Sequence, residues 1–346
     1  MRIVSGVVRR YGFFIVSLLP LLPSVATAQD RGSPSGERAS AATGVTLGPP
    51  REVVTEGETL GRSGPLAANS MFAQALEQGA STDTAAKTPQ SAAPEADAGG
   101  TGDLAKKLAN PISSLISVPF QSNFDYKIGP RDAGTRYLLN VQPVIPISLN
   151  EEWNLISRTI LPFISQDDIV PDAGSQTGLG DTVQSLFFSP KQPTCGGLIW
   201  GAGPVFLLPT GTDDPLGTDK WGIGPTFVGL KQEGPWTYGM LTNHIWSFAG
   251  DDDRPDVNST FLQPFLTYNT KTATTFSLNT ESTYDWEGHE WSIPINFQIS
   301  QIVKVGDQPL SIGAGLRYWA DSPDSGPEGF GFRVVVTFLF PTGGGR

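Results

Sequence analysis

The chain has 346 residues, 38% of them hydrophobic and only 16% charged, with 40 glycines, a single cysteine and a net charge of −11. That length holds one large domain or two modest ones. One cysteine excludes an internal disulfide framework, and the acidic balance argues against a nucleic-acid partner.

The N-terminus carries Arg2, Arg9 and Arg10 ahead of the apolar run "FFIVSLLPLLPSV", which closes on Ala26-Thr27-Ala28. A basic start, a short apolar stretch and an A-x-A site predict a cleavable signal peptide over residues 1–28. Pro20 and Pro23 break a run already too short to span a bilayer as a helix. Cleavage after Ala28 leaves 20 basic against 34 acidic residues, a net charge of −14.

Residues 29–103 are rich in Ala, Gly, Ser, Thr and Pro and poor in aromatics. Such a segment buries too little apolar surface to offset its ordering entropy, and reads as a disordered tether. Next, "DLAKKLANP" places Leu104, Ala105, Leu108 and Ala109 on one helical face, with Pro111 as a stop. A short helix over 104–112 is expected, either leading into the first strand or plugging a periplasmic mouth.

From residue 113 to 341 the pattern changes to period two. Twelve strands are predicted: 113–126, 136–147, 153–164, 179–189, 197–209, 221–231, 236–248, 258–269, 273–285, 290–303, 309–319 and 329–340. Most are longer than the five or six residues usual in soluble sheets. In the last one, Phe330, Phe332, Val334, Val336, Phe338 and Phe340 form one apolar stripe, opposite Gly331, Arg333, Val335, Thr337 and Leu339. Connections alternate between long, acidic, Gly/Pro-rich loops and mostly tighter turns, except that "WEGHE" is short where a long loop is expected.

A soluble sandwich also alternates, so the choice of solvent rests on further features. Strand length suits a tilted membrane span, and the strand number is even. Long and short connections fall on opposite ends. Aromatics cluster at strand ends: Tyr126, Tyr137, Trp221, Trp246, Phe248, Trp286, Trp291, Tyr318 and Phe330 at one level, Trp153, Trp236, Phe338 and Phe340 at the other. These match interfacial girdles. Backbone groups in hydrocarbon must all be paired, which requires a closed sheet. The expected fold is therefore an all-β, closed, antiparallel, up-and-down transmembrane barrel.

The stretches "LAKKLANPISSLISVPFQSNFDY", "NVQPVIPISLNEEWNLISRTILPFI", "GLGDTVQSLFFSP" and "WGAGPVFLLPTGTDDPLGTDKWGIGPTFVGLKQEGPWTYGMLTNHIWSFAG" resemble the bacterial outer-membrane proteins associated with the MetA pathway of phenol degradation. The resemblance covers about residues 104–341. It implies a Gram-negative outer-membrane β-barrel of transporter type that passes small organic molecules. It supplies no catalytic residues, and its link to phenol says little about substrate.

Parity selects the lumen candidates. Arg136, Arg317 and Arg333 lie toward the long-loop ends of strands two, eleven and twelve, which closure gathers into one sector; Arg158 sits midway along strand three. Glu281 and Asp285 line strand nine, opposite strand three in a twelve-membered ring. A field running from a basic to an acidic wall is expected across the constriction, unless these charges pair and fill the barrel. Gly201, Gly203 and Val205, with Gly222, Gly224 and Thr226, form a second, apolar wall. It offers room for an aromatic or aliphatic solute, or only the bends a barrel needs.

Enzymatic chemistry and cofactors are not expected. His244 shares parity with the outward Trp246 and Phe248, His289 lies in a turn, and Cys195 in a periplasmic turn. No metal-ligand spacing or phosphate loop is evident. Acidic pairs and runs at 167–168, 213–214 and 251–253 are read as solvated loops, or as sites for cations that bridge lipopolysaccharide. The expectation is an outer-membrane channel for small hydrophobic or aromatic molecules, with lipid and lipopolysaccharide as surroundings and both termini periplasmic. A barrel with a filled lumen and a secreted carbohydrate-binding sandwich are the alternatives.

Overall fold

A computed structural model describes residues 98–169 and 174–341. The predicted signal peptide and nearly all of the predicted tether lie outside these residues. One helix, α1 (Ala98–Leu108), precedes the strands β1 (Leu115–Ile128), β2 (Gly134–Val141), β3 (Val144–Ser148), β4 (Trp153–Asp167), β5 (Gln176–Leu179), β6 (Thr182–Pro190), β7 (Ile199–Leu208) and β8 (Lys220–Glu233). There follow β9 (Trp236–Gly250), β10 (Asn258–Asn269), β11 (Thr274–Thr280), β12 (Ser282–Asp285), β13 (Glu290–Val305), β14 (Gln308–Asp321) and β15 (Gly329–Pro341).

These fifteen segments make twelve continuous strands, because β2 and β3, β5 and β6, and β11 and β12 are each one strand interrupted. Every strand pairs antiparallel with its chain neighbours, and β15 pairs with β1 from Leu115↔Pro341 to Phe124↔Phe332, so the barrel closes. Each interruption contains or faces a proline, which has no N–H for the ladder. Pro143 separates β2 from β3. Pro162 accepts a bond from Gly180 between β5 and β6, and Pro294 accepts one from Glu281 between β11 and β12.

The apolar stripe of β15 points outward, with Phe332 and Val334 exposed and Arg333 buried. Phe120, Phe163, Ile223 and Phe297 carry the same belt around the barrel. On β9, Trp236 and Trp246 are exposed ten residues apart. At about 3.4 Å per residue and a tilt of about 40°, that separation is about 26 Å along the barrel axis, close to the ~25 Å apolar band of outer-membrane barrels.

The helix begins earlier and ends earlier than the expected 104–112. Its first turns contain Gly99, Gly100 and Gly102, poor helix formers, so packing rather than propensity holds it. Ala105 and Leu108 bury themselves against Leu115, Ala273, Ile302 and Leu339 at the short-turn end of the barrel. Gln232 on β8 donates to the Lys106 carbonyl at 3.0 Å. The helix thus sits across that mouth, with Ile112 continuing into the lumen.

Candidate functional site

The inner face divides by chemistry. From β4 to β10 it is mixed: an apolar cluster of Ile156, Ile160, Val183, Val205, Val228 and Ile245 lies among buried Arg158, Ser185, Thr226, Asn243 and Gln263. From β11 through β15 to β1 and β2 it is polar, with Asn279, Gln298, Ser311, Gln121 and Asn140 buried at equivalent positions. Interiors of outer-membrane barrels are ordinarily polar, so an apolar cluster of this size is a departure that requires explanation.

Within the polar half lies an ionic cluster. Strand pairing sets Asp125 opposite Arg136, and Asn123 opposite Arg333. Arg333 donates Nη1 and Nη2 to the two oxygens of Glu281 at 2.8 Å each, and Nε to Asn123 Oδ1 at 2.8 Å. This two-pronged geometry is the strong form of an arginine–carboxylate pair. Asp125 accepts from Trp319 Nε1 at 3.0 Å and from Arg136 Nη2 at 3.5 Å. Arg317 lies between the two carboxylates, its Nε 3.6 Å from Asp125 and its Nη2 3.6 Å from Glu281, and stacks over the Trp319 ring at 4.5 Å. Arg158, flanked on β4 by Ile156 and Ile160, donates to Gln142 at 3.2 Å and stands within electrostatic range of Glu281.

Arg136, Arg158, Arg317, Arg333 and Glu281 are therefore all interior, and the structure brings them together. It does not set acid against base on separate walls. Glu281 reaches across to Arg333 and Arg317 because strand nine is only three places from strand twelve in the ring. Asp285 stands apart: it is half-buried near the long-loop rim, where its Oδ1 accepts from the Glu287 N–H at 2.9 Å. Asp125 and Trp319 complete the cluster and were missed as site residues. Asp125 shares a period-two face with Gln121 and Asn123, which was the available signal.

The glycine wall is differently built from expectation. Val205 and Thr226 are buried on the inner face. The room left beside Gly201 and Gly222 is taken by neighbouring side chains: an added Cβ would meet Phe187 at 3.3 Å and Ile245 at 2.6 Å. At Gly203 and Gly224 it would meet backbone, the Leu186 carbonyl at 1.9 Å and the His244 carbonyl at 1.6 Å. Pro204 faces Pro225 across β7 and β8. Neither carries an N–H, so this pair adds no ladder bond between β7 and β8.

At the long-loop end, the one-turn 3-10 helix Asp214–Leu216 lowers Leu216 into the apolar cluster. Asp181 anchors this loop, accepting from Gly211 N at 3.0 Å and from Thr218 N and Oγ1 at 2.6 Å each. Arg254 ties it further, donating to the carbonyls of Asp214 and Gly217. Folded chain thus packs against the lumen at both ends.

His244 faces outward and shares a 2.7 Å hydrogen bond with Thr260 Oγ1, which also accepts from Trp286 Nε1 at 2.9 Å. Sequence reading missed this hydroxyl partner. Cys195 is exposed in the β6–β7 turn. Among the described residues no three His, Cys, Asp or Glu side chains converge as metal ligands. The acidic loops bond internally instead, as where Asp251 accepts from the Asp253 N–H at 2.9 Å.

No family model matches the chain, and no curated protein does. Solved structures do resemble it. An outer-membrane channel from Pseudomonas putida F1 is 17% identical with a TM-score of 0.51, over 65% of this chain and 94% of that one. Outer membrane phospholipase A from Escherichia coli is 10% identical with a TM-score of 0.40, over 66% and 90%. Pseudomonas putida OprB is 10% identical with a TM-score of 0.31, over 71% and 97%. At such identities the first likeness shows the fold, that of an outer-membrane barrel, and the other two carry no argument.

Proposed function

We propose that this protein is an outer-membrane channel, not an enzyme, for the passive passage of small hydrophobic or aromatic molecules. In this reading the signal peptide is removed after Ala28, both termini are periplasmic, and lipid and lipopolysaccharide surround the belt. The apolar cluster of the lumen supports the proposal. A pore for ions or sugars gains nothing from Ile156, Ile160, Val183 and Val228 facing inward, whereas a solute with an aromatic or aliphatic body is desolvated favourably there. Phenolic solutes, small and aromatic, are the first class to examine.

A barrel with a filled, purely structural lumen is the second reading, favoured by the near-zero exposure of inward side chains such as Val205 and Asn123. Swelling of proteoliposomes separates the two. Phenyl glucoside should enter faster than the smaller glucose if an apolar wall selects. Swelling in neither solute would establish the filled barrel, and faster entry of glucose would defeat hydrophobic selection.

A further inference from the structure

A cavity of about 320 Å³, open to solvent, lies at the short-turn end of the barrel between α1 and β8. Asp103, Lys106 and Lys107 of the helix line it, with Asn110 and Ser113 of the following turn and Gln232 of β8. Its walls are held in place. Gln232 Nε2 donates to the Lys106 carbonyl at 3.0 Å and to Thr237 Oγ1 at 3.3 Å, while Asn110 Oδ1 accepts from the Ile112 N–H at 3.0 Å. Ala105 and Leu108 anchor the helix on the barrel. These bonds use one end of each amide and leave Asn110 Nδ2 as a donor and Gln232 Oε1 as an acceptor. Among the described residues, neither lysine forms an ion pair through its Nζ. Two lysines in a last turn complement the helix dipole, which accounts for their charge but not for the space they share with three polar side chains from outside the helix.

We infer that this cavity binds a small polyhydroxylated monocarboxylate, such as a sugar acid, with its carboxylate on Lys106 and Lys107 and its hydroxyls on Asp103, Asn110 and Gln232. Two ammonium groups against the one carboxylate of Asp103 leave a single positive charge, which a monoanion balances. Lysine is a compact charge with rotatable donors, so it follows a carboxylate without needing a fixed fork. The volume lies at the lower end of the range for small-molecule sites, enough for one sugar ring. A neutral sugar would use the amides and Asp103 but leave the lysines without a counter-charge. A divalent inorganic anion would meet the lysines but offer Asp103 and Gln232 Oε1 nothing to accept from. The site is separate from the lumen and does not depend on the channel reading.

Titration calorimetry on the full chain in detergent micelles at fixed ionic strength tests it, with glucuronate, glucose and sulfate as probes. Glucuronate should bind at least roughly 10-fold more tightly than glucose, the effect of one charge-assisted hydrogen-bonded pair. Combining Lys106→Gln with Lys107→Gln should abolish that preference, whereas Lys191→Gln, in the exposed β6–β7 turn, should keep it. Neither change touches Ala105 or Leu108, which seat the helix. Equal binding of glucuronate and glucose by the unaltered protein overturns the site, whatever the variants do. Sulfate that displaces glucuronate at equal concentration overturns the hydroxylated class. A preference lost equally in Lys191→Gln would mean attraction to basic surface in general, and would also overturn the site.

Discussion

Replacing Glu281 with glutamine should destabilise the barrel far more than any loss of shape, because the two side chains are nearly isosteric. Glu281 makes two 2.8 Å bonds to Arg333 and lies 3.6 Å from Arg317, with no exposed surface on the carboxylate. Without it, four buried arginines share Asp125 alone, and the excess charge rises from two to three. Removing one partner of a buried ion pair costs about 3–5 kcal/mol, mostly through the charge left behind. With a urea dependence of about 3 kcal/mol per molar, the unfolding midpoint should fall by roughly 1 M or more. Urea titration in micelles, followed by heat-modifiable gel migration, measures this. Pairing Glu281→Gln with Arg333→Gln returns the excess charge to two and should recover at least half of the loss. A single variant within about 1 kcal/mol of the parent, or a double variant worse than the sum of its parts, would refute the ionic account.

Gly224→Ala sets a Cβ 1.6 Å from the His244 carbonyl oxygen; backbone cannot yield as a side chain can, so a loss of about 2–3 kcal/mol is expected. Gly102→Ala, with nothing within 4 Å, should gain up to about 1 kcal/mol through helix propensity, and the two gel-shift midpoints should differ accordingly. Deleting residues 98–108 removes the group packed on Leu115, Ile302 and Leu339; single-channel conductance should rise while the folded band persists. Unchanged conductance would mean that the helix does not obstruct the pathway.

Most of the barrel was legible in sequence because one rule governs each strand. With lipid outside and a lumen inside, parity assigns every side chain, and it assigned Arg333 inward and Phe332 outward on β15 correctly. What parity cannot show is where a ladder fails: Pro143 breaks its own strand without changing the alternation, and Pro162 and Pro294 face breaks in a partner strand fixed only by register. The helix was misplaced because its first turn, with Gly99 and Gly100, has no helical signature of its own and depends on contacts formed by Ala105 and Leu108. The ionic site was half visible. Closure logic gathered Arg136, Arg317 and Arg333, but counting Glu281 as opposite strand three hid its nearness to strand twelve. A long side chain crosses three strands of a narrow ring; a strand diagram does not show that.

The position of the cluster has a consequence for how the chain finds its register. Its bonds join the two ends of the barrel: Arg333 to Asn123 across 210 residues, and Trp319 to Asp125 across 194. They exist only once β15 has met β1, so they add nothing to earlier hairpins and everything to closure. A slip of one residue at that seam would turn Arg333 or Asp125 out of the cluster toward lipid, leaving its partners inside unpaired. A slip of two would keep parity but separate Arg333 from Asn123 by two strand residues, about 7 Å, and break its 2.8 Å bond. Apolar residues on this face would tolerate the second error, since one buried aliphatic contact replaces another at little cost. Charges with fixed partners do not. The residues of the cluster therefore reject the closures in which the barrel would be one pleat out of step.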